Sequence, residues 1–390
     1  SRLTGKEESM QRKGTSRGFS LTELLVSMAL GSIVIGGAVS MFSQALKASW
    51  ITSQKAEMQQ DFRAAANVMK RDISLAGSGL GDIGIALPSG TGTLPVYPCS
   101  QTSCSYVNSG SVAYPTQSGI PYLYGIVPGN DLGITVNPNV GPTDIISVAY
   151  SDINFAINCY QVSMDATGTI ATFTLPTPLP ATCVLPPNLA APQALNDGVV
   201  GLQQGDLLYF QVVIGAGANA TTASGIGSVS TVGAGGVPNS YTVKFNAGDV
   251  GHINQPAAAG GSLKQLAGNT SGSATRILYI TYYLDISPSD GVTPRLMRAV
   301  SGKTPTPVAE NVTNLQFSYD LFNNGTVAAA QTALPAGTTP AMITKVNIDH
   351  LTIRSQAAGG TGYQGLDLTT SICARNMTFQ QEYPIAGSPY

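Results

Sequence analysis

A chain of 390 residues has the length of one large domain or two ordinary ones, and its 43% hydrophobic content excludes a disordered tail. Only 10% of the residues are charged, against about a quarter in ordinary soluble proteins, while Gly (44) and Pro (24) are frequent. That balance argues against a charge-rich helical cytosolic enzyme, and a net charge of −2 gives nucleic acid no basic footprint to bind.

The N-terminal segment comes first. Arg12, Lys13 and Arg17 precede an apolar run, Leu24 to Leu46, that carries no charge over 23 residues. As a helix this run is long enough to cross a hydrocarbon core of roughly 30 Å. It exceeds the 7–15 residues or so of a secretory signal, which points to a retained anchor; Ala38-Val39-Ser40 is the competing signal-peptidase site. Bases before the span place the N-terminus in the cytoplasm and the remainder outside. Glu23 sits at the edge of the run, where an ionised carboxylate costs about 2.5–3.5 kcal/mol on insertion scales. Such a group is there to pair with something or is solvated by headgroups. Gly31, Gly36 and Gly37 are the weak points of the helix, each costing about 1 kcal/mol relative to Ala.

The helical pattern continues past the apolar run. Ile51, Met58, Phe62, Met69 and Ile73 recur at helical spacing, while Lys55, Glu57, Asp61, Arg63, Lys70 and Arg71 lie largely off that stripe. Gly77-Ser78-Gly79 is a stop signal. The spacing therefore predicts a helix from about Phe19 to Ala76, with its transmembrane half over 19–46; a coiled coil is the alternative reading of the stripe.

Beyond Gly77 the chain reads as β structure. Strands are predicted at Asp144–Tyr150, Asp206–Ile214, Tyr241–Phe245, Arg276–Asp285, Asn314–Leu321, Thr344–Arg354 and Leu366–Thr378. Residues from about 86 to 270 mix strands with long Gly/Ser/Thr/Pro stretches such as Ala216–Pro238, which read as mobile, surface-exposed insertions. No Lys or Arg occurs between Arg71 and Lys244, a stretch that holds eight acids. That middle surface is unsuited to polyanions; a solvated face and a specific cation-binding face are the two readings.

Several motifs carry no chemistry in their context. Gly14-Thr15-Ser16-Arg17-Gly18 matches a nucleophile elbow but sits in the basic leader, not on a strand-to-helix turn. Gly79, Gly81 and Gly84 match a dinucleotide fingerprint but follow a helix. The two histidines, His252 and His350, lack partners for a triad or a metal site, and His350 reads as a strand position. No catalytic residue, cofactor or metal ligand is therefore expected.

The segment Arg17-Gly18-Phe19-Ser20-Leu21-Thr22-Glu23-Leu24-Leu25-Val26 resembles the class III signal of type IV prepilins and pseudopilins. The resemblance implies cleavage by prepilin peptidase after Gly18, N-methylation of Phe19, and a docking role for Glu23, whose carboxylate meets the α-amino group of a neighbouring subunit. Met10 would give a leader of typical size, so residues 1–9 read as an upstream over-call or a remnant; the Pro common in pilin helices is missing. Met69–Gly77, Pro307–Tyr319 and Thr370–Asn376 are similar to segments of PilW-type minor pilins. The likeness is strong over 10–80, loose over 270–380 and absent between.

The resemblance thus implies an α+β protein: a basic leader (1–18), a long N-terminal transmembrane and amphipathic helix (19–76), and an antiparallel β-sheet head (77–390) with long loop insertions over about 86–270. Implied partners are other minor pilins, the major pilin, prepilin peptidase, the inner-membrane assembly platform and inner-membrane lipid. The implied location is the bacterial inner membrane, N-terminus in the cytoplasm and head in the periplasm, and then the pilus tip. A J-type pseudopilin of type II secretion and a pilus-tip adhesin are the rival functions; a membrane-anchored enzyme is a third. In an oxidising envelope, proximity in sequence pairs Cys99 with Cys104 and Cys159 with Cys183, leaving Cys373 over.

Overall fold

The computed structural model describes residues 18–81, 84–90, 95–96, 113–187, 189–214, 221–254, 262–301, 303–323, 325–355 and 365–377. Helix α1 covers Leu21–Leu75 in one uninterrupted piece of 55 residues. The chain divides within it: one unit ends at Ala56, and the other begins at Glu57.

In the first unit α1 is rich in Leu and Ala and free of Pro, which favours helix despite Gly31, Gly36 and Gly37. From Leu21 to Trp50 every residue is exposed except half-buried Gly31. The helix is long and apolar enough to cross a membrane. Four of its hydroxyls donate to carbonyls of the preceding turn. Ser27 donates to the Leu24 carbonyl (2.9 Å), Ser43 to that of Ser40 (2.9 Å), Thr52 to that of Ala48 (2.8 Å), and Ser32 to that of Met28. Such back-bonding removes the cost of bringing a bare hydroxyl into hydrocarbon.

In the second unit the remainder of α1 buries Phe62, Ala65, Met69, Asp72 and Ile73, with Met58 partly buried beside them. Each large apolar member contributes about 1.5–3 kcal/mol by leaving water. Gly77 ends the helix in the left-handed region (φ 79°), and its N–H donates to the Ala149 carbonyl (2.9 Å), handing the chain to the sheet.

The described strands all pair antiparallel. Strands β1 (Ile85–Ala86), β2 (Thr116–Gln117) and β3 (Ile120–Leu123) form a small sheet. The largest sheet takes β4 (Ile126–Gly129), β5 (Ile145–Ser151), β6 (Gln161–Met164), β7 (Ile170–Thr174), β8 (Leu207–Ile214), β9 (Thr221–Ser228), β10 (Thr231–Ala234) and β11 (Ser240–Lys244). It is completed by β12 (Gly272–Ile286), β13 (Pro294–Val300) and β14 (Thr306–Glu310). A third sheet has the order β16 (Thr326–Gln331), β15 (Val312–Asn323), β17 (Ile343–Arg354) and β18 (Gly365–Cys373). Strand β12 is the spine: it pairs with β8 over Gly272–Ile277, with β5 over Ile277–Tyr282, and with β13 over Ile280–Ile286.

One apolar core joins the α1 residues of this unit to β5, β12, β15 and β17, through Ile146, Val148, Ile280, Tyr282, Phe317, Tyr319, Val346 and Ile348. Among the described residues, the middle of the chain holds more strand and packed core than its composition suggests. It builds a second core from Phe173, Phe210, Phe245, Val162 and Leu208. The stretch Ala216–Pro238 contains two strands, β9 and β10. A glycine of β9 answers to packing: a Cβ on Gly227 would collide with Leu263 Cδ1 and meet Phe245 Cδ1 at 2.7 Å. Composition signalled a loop where close approach demanded a small residue.

Candidate processing and docking site

The site starts from local backbone chemistry. Gly18, Phe19 and Ser20 are exposed and lie outside the helix, with Phe19 86% exposed. The Gly18–Phe19 peptide bond therefore sits in open, non-helical backbone, where a protease has access. A Cβ on Gly18 would find no atom within 4 Å. Arg12, Lys13 and Arg17 lie outside the described residues.

Helix α1 opens with a reciprocal cap. The Glu23 backbone N–H donates to Ser20 Oγ (3.2 Å), and the Ser20 backbone N–H donates to Glu23 Oε2 (3.0 Å). Ser20 Oγ also donates to the same carboxylate oxygen (3.1 Å) and contacts Thr22 Oγ1 (2.9 Å). This is a capping box: the residue before the first helical position and the third helical residue satisfy each other's orphan donors. The helix N-terminus also favours a negative charge there. Glu23, read from the sequence as a docking charge, thus holds a local partner as well. Ser20 is not among the site residues expected from the sequence, although the spacing Ser-x-x-Glu ahead of an apolar run is the signature of this cap.

A second cluster lies where α1 meets the large sheet. Asp72 is 3% exposed, and its carboxylate accepts from Tyr150 Oη (3.1 Å), Tyr282 Oη (2.5 Å) and Arg298 Nε (2.8 Å). Arg298 Nε also reaches Tyr282 Oη at 3.2 Å. Burial, and then the Asp72 charge, push both phenols well above their usual range. Burial pulls the Arg298 guanidinium down, but the Asp72 hydrogen bond and charge leave it raised on balance. Helix and sheet are thus tied by one carboxylate to three donors on β5, β12 and β13. Asp72 follows Met69 by three residues and so lies on the buried face, a phase signal the apolar stripe alone does not reveal.

The cysteines separate by position. Cys159 and Cys183 are disulfide-bonded with Cα atoms 4.3 Å apart. Cys99 and Cys104 lie outside the described residues. Cys373 is exposed on β18 and bonds to no described cysteine. The disulfide fastens the Pro-rich segment before β8, which Gln193 also holds by accepting from the Ala156 N–H (3.2 Å) and, through its carbonyl, from Tyr160 Oη (2.8 Å).

Chemistry elsewhere in the head is sparse. A cleft of about 490 Å³ beside the 245–254 segment has no Cys, His or Lys among its lining residues. Its carboxylate, Asp249, is engaged by the N–H groups of Ile253 (2.9 Å) and Asn254 (2.8 Å). His350 Nδ1 pairs with Asp367 Oδ2 at 2.7 Å on the exposed outer face of the third sheet. Among the described residues no group of three or more His, Cys, Asp or Glu is arranged to hold a metal.

The family model described as the prokaryotic N-terminal methylation motif matches residues 13–39. No curated protein and no solved structure matches the chain. The matched stretch contains Gly18, Phe19, Ser20 and Glu23, so the N-terminal segment is a type IV pilin-like class III signal leading into an apolar helix.

Proposed function

We propose that this chain is a PilW-like minor pilin, cut by prepilin peptidase between Gly18 and Phe19 and methylated on the new Phe19 terminus. Before assembly α1 is held in the inner membrane with the head outside. The subunit is then drawn into a filament-tip complex with other minor pilins, next to the major pilin and above the inner-membrane assembly platform. Its role is mechanical rather than catalytic. One observation carries the reading: an exposed, non-helical Gly18–Phe19 bond stands directly ahead of a capped helix whose run Leu24–Leu46 carries no charge, inside the matched motif. Protease access, a free α-amino group after cleavage, and an anchor for the processed subunit all follow from that order. In the filament, Glu23 exchanges its local cap for the α-amino group of the next subunit, because a carboxylate leaving water needs a cation beside it. The separate core of the middle segment favours the tip over the shaft, since a large head suits an end position better than repeated packing.

Mass spectrometry of the N-terminal peptide from native membranes tests the reading. The expected peptide begins at methylated Phe19. An intact leader, or a terminus beyond Ser40 left by signal peptidase, overturns it.

A further inference from the structure

The apolar face of α1 ends in two residues that mark a boundary. Phe42, Leu46 and Trp50 are spaced four apart and so share one face of the helix; they are 65%, 56% and 58% exposed. Lys47 lies one turn before Trp50 and is exposed. Past Trp50 the sequence turns polar, with Gln54, Lys55, Glu57, Gln59, Gln60 and Asp61 in quick succession. The uncharged run Leu24–Leu46 spans about 35 Å as a helix, close to a hydrocarbon core of roughly 30 Å. From Glu23 to Trp50 the helical rise is about 40 Å, and a bilayer with its headgroup zones measures about 40–45 Å. When Glu23 reaches the headgroups of one leaflet, Trp50 therefore reaches those of the other.

We infer that Lys47 and Trp50 form a lipid-headgroup anchor that sets the depth of α1 in the bilayer before assembly. The inference rests on the membrane-anchored reading above and adds to it a boundary and the residues that hold it. An indole suits that zone because its ring is apolar and its N–H wants a polar partner. The Lys47 stem lies along the apolar face while its ammonium reaches water or lipid phosphate. The partner is a lipid surface at the water boundary, and Trp50 leaves it only when the subunit is drawn out into a filament.

Trp50 is the single tryptophan of the chain, so its fluorescence reports this position alone. The experiment uses the full chain in phosphatidylethanolamine/phosphatidylglycerol vesicles, with lipids brominated either high on the acyl chain or near its end, and aqueous acrylamide. The expected emission is blue-shifted, quenched most by the shallow bromine, less by the deep one and weakly by acrylamide. In a Phe42→Trp, Trp50→Phe variant the strongest quenching moves to the deep bromine. Quenching chiefly by acrylamide in a chain that still resists carbonate extraction overturns the anchor and leaves the membrane reading standing. Strongest quenching of Trp50 by the deep bromine overturns it too, as does a blue shift that appears only when partner subunits are added. A chain that carbonate extracts overturns both readings together.

Discussion

Glu23 offers a carboxylate to two uses that a single substitution separates. The capping box needs an acceptor at the third helical position, and Gln serves there as Glu does. The docking role proposed for Glu23 needs its charge. Glu23→Gln is therefore expected to keep cleavage at Gly18–Phe19 and membrane insertion while losing co-purification with partner minor pilins, because truncating one member of a buried pair costs about 3–5 kcal/mol. Ser20→Ala removes the cap and keeps the charge. It weakens the helix start by about 1 kcal/mol and leaves partner recovery largely unchanged. Pull-down of the complex with counting of filaments checks both; normal assembly in Glu23→Gln would mean that the residue is a cap and nothing more.

Asp72 poses a different residue-scale question. Its charge is buried against a guanidinium that retains 26% side-chain exposure, and two phenols complete its shell. Asp72→Asn leaves Arg298 without its counter-charge at the helix–sheet seam. The expected loss is about 3–5 kcal/mol in chemical denaturation of the full chain in detergent. Adding Arg298→Met to that variant removes the stranded charge and should restore part of the loss. A double variant no more stable than Asp72→Asn would show that the phenols, not the ion pair, carry the contact.

At the scale of elements, the junction between the second and third sheets rests on Asp144. Its carboxylate, 1% exposed, accepts from the N–H groups of Asp131 (2.8 Å) and Phe317 (2.7 Å), and its own N–H donates to the Leu315 carbonyl (2.9 Å). Burial outweighs those two hydrogen bonds and pushes the carboxyl up to about 6. The sign follows from linkage. A folded-state value above the unfolded value near 4 favours the protonated form, so the stabilisation is complete below about pH 4 and is lost as pH rises through about 6. Asp249 is raised by burial in the same direction. Asp165 and Asp320 are held low by their hydrogen bonds despite burial, so their contributions fade only in more acid solution. Denaturation midpoints should therefore fall as pH rises from about 4 to about 6, by the equivalent of up to about 3 kcal/mol for Asp144. Asp144→Asn should flatten most of that slope; an unchanged slope would exclude this carboxyl as its source.

For the whole molecule, the middle segment is a folded layer with its own core, and one covalent bond fastens its most Pro-rich stretch. Cys159 and Cys183 close a loop with a sequence separation of 24, for which chain entropy gives about 3 kcal/mol of stabilisation. Replacing both by Ser should lower stability by about that amount and loosen the segment around Gln193 first, since Gln193 bonds to residues beside Cys159. Hydrogen exchange resolved by peptide checks the order. Uniform loss of protection across the head would show that the bond supports the entire fold rather than this layer.

Chemistry that depends on neighbours along the chain is legible in the sequence itself. The apolar run, the stop at Gly77, the alternating Leu315, Phe317, Tyr319 and Leu321, and the Gly-Phe-x-x-x-Glu spacing all arise from local periodicity or local backbone demands. The helix and six of the seven predicted strands follow from them with modest shifts at their ends; the seventh, predicted over Leu366–Thr378, ends at Cys373, Arg375–Met377 is helical, and Thr378 lies outside the described residues. The Ser20–Glu23 cap is equally local, three residues apart on the chain. What tertiary structure alone decided is where distant residues meet. Asp72 finds Tyr150, Tyr282 and Arg298 across separations of 78, 210 and 226 residues, which no spacing along the chain encodes. The glycines of β9 looked like a loop because a close approach by Phe245 and Leu263 leaves no trace in the sequence around Gly227. Local composition sets which conformations a segment prefers; only packing decides which of its small residues are there for want of space.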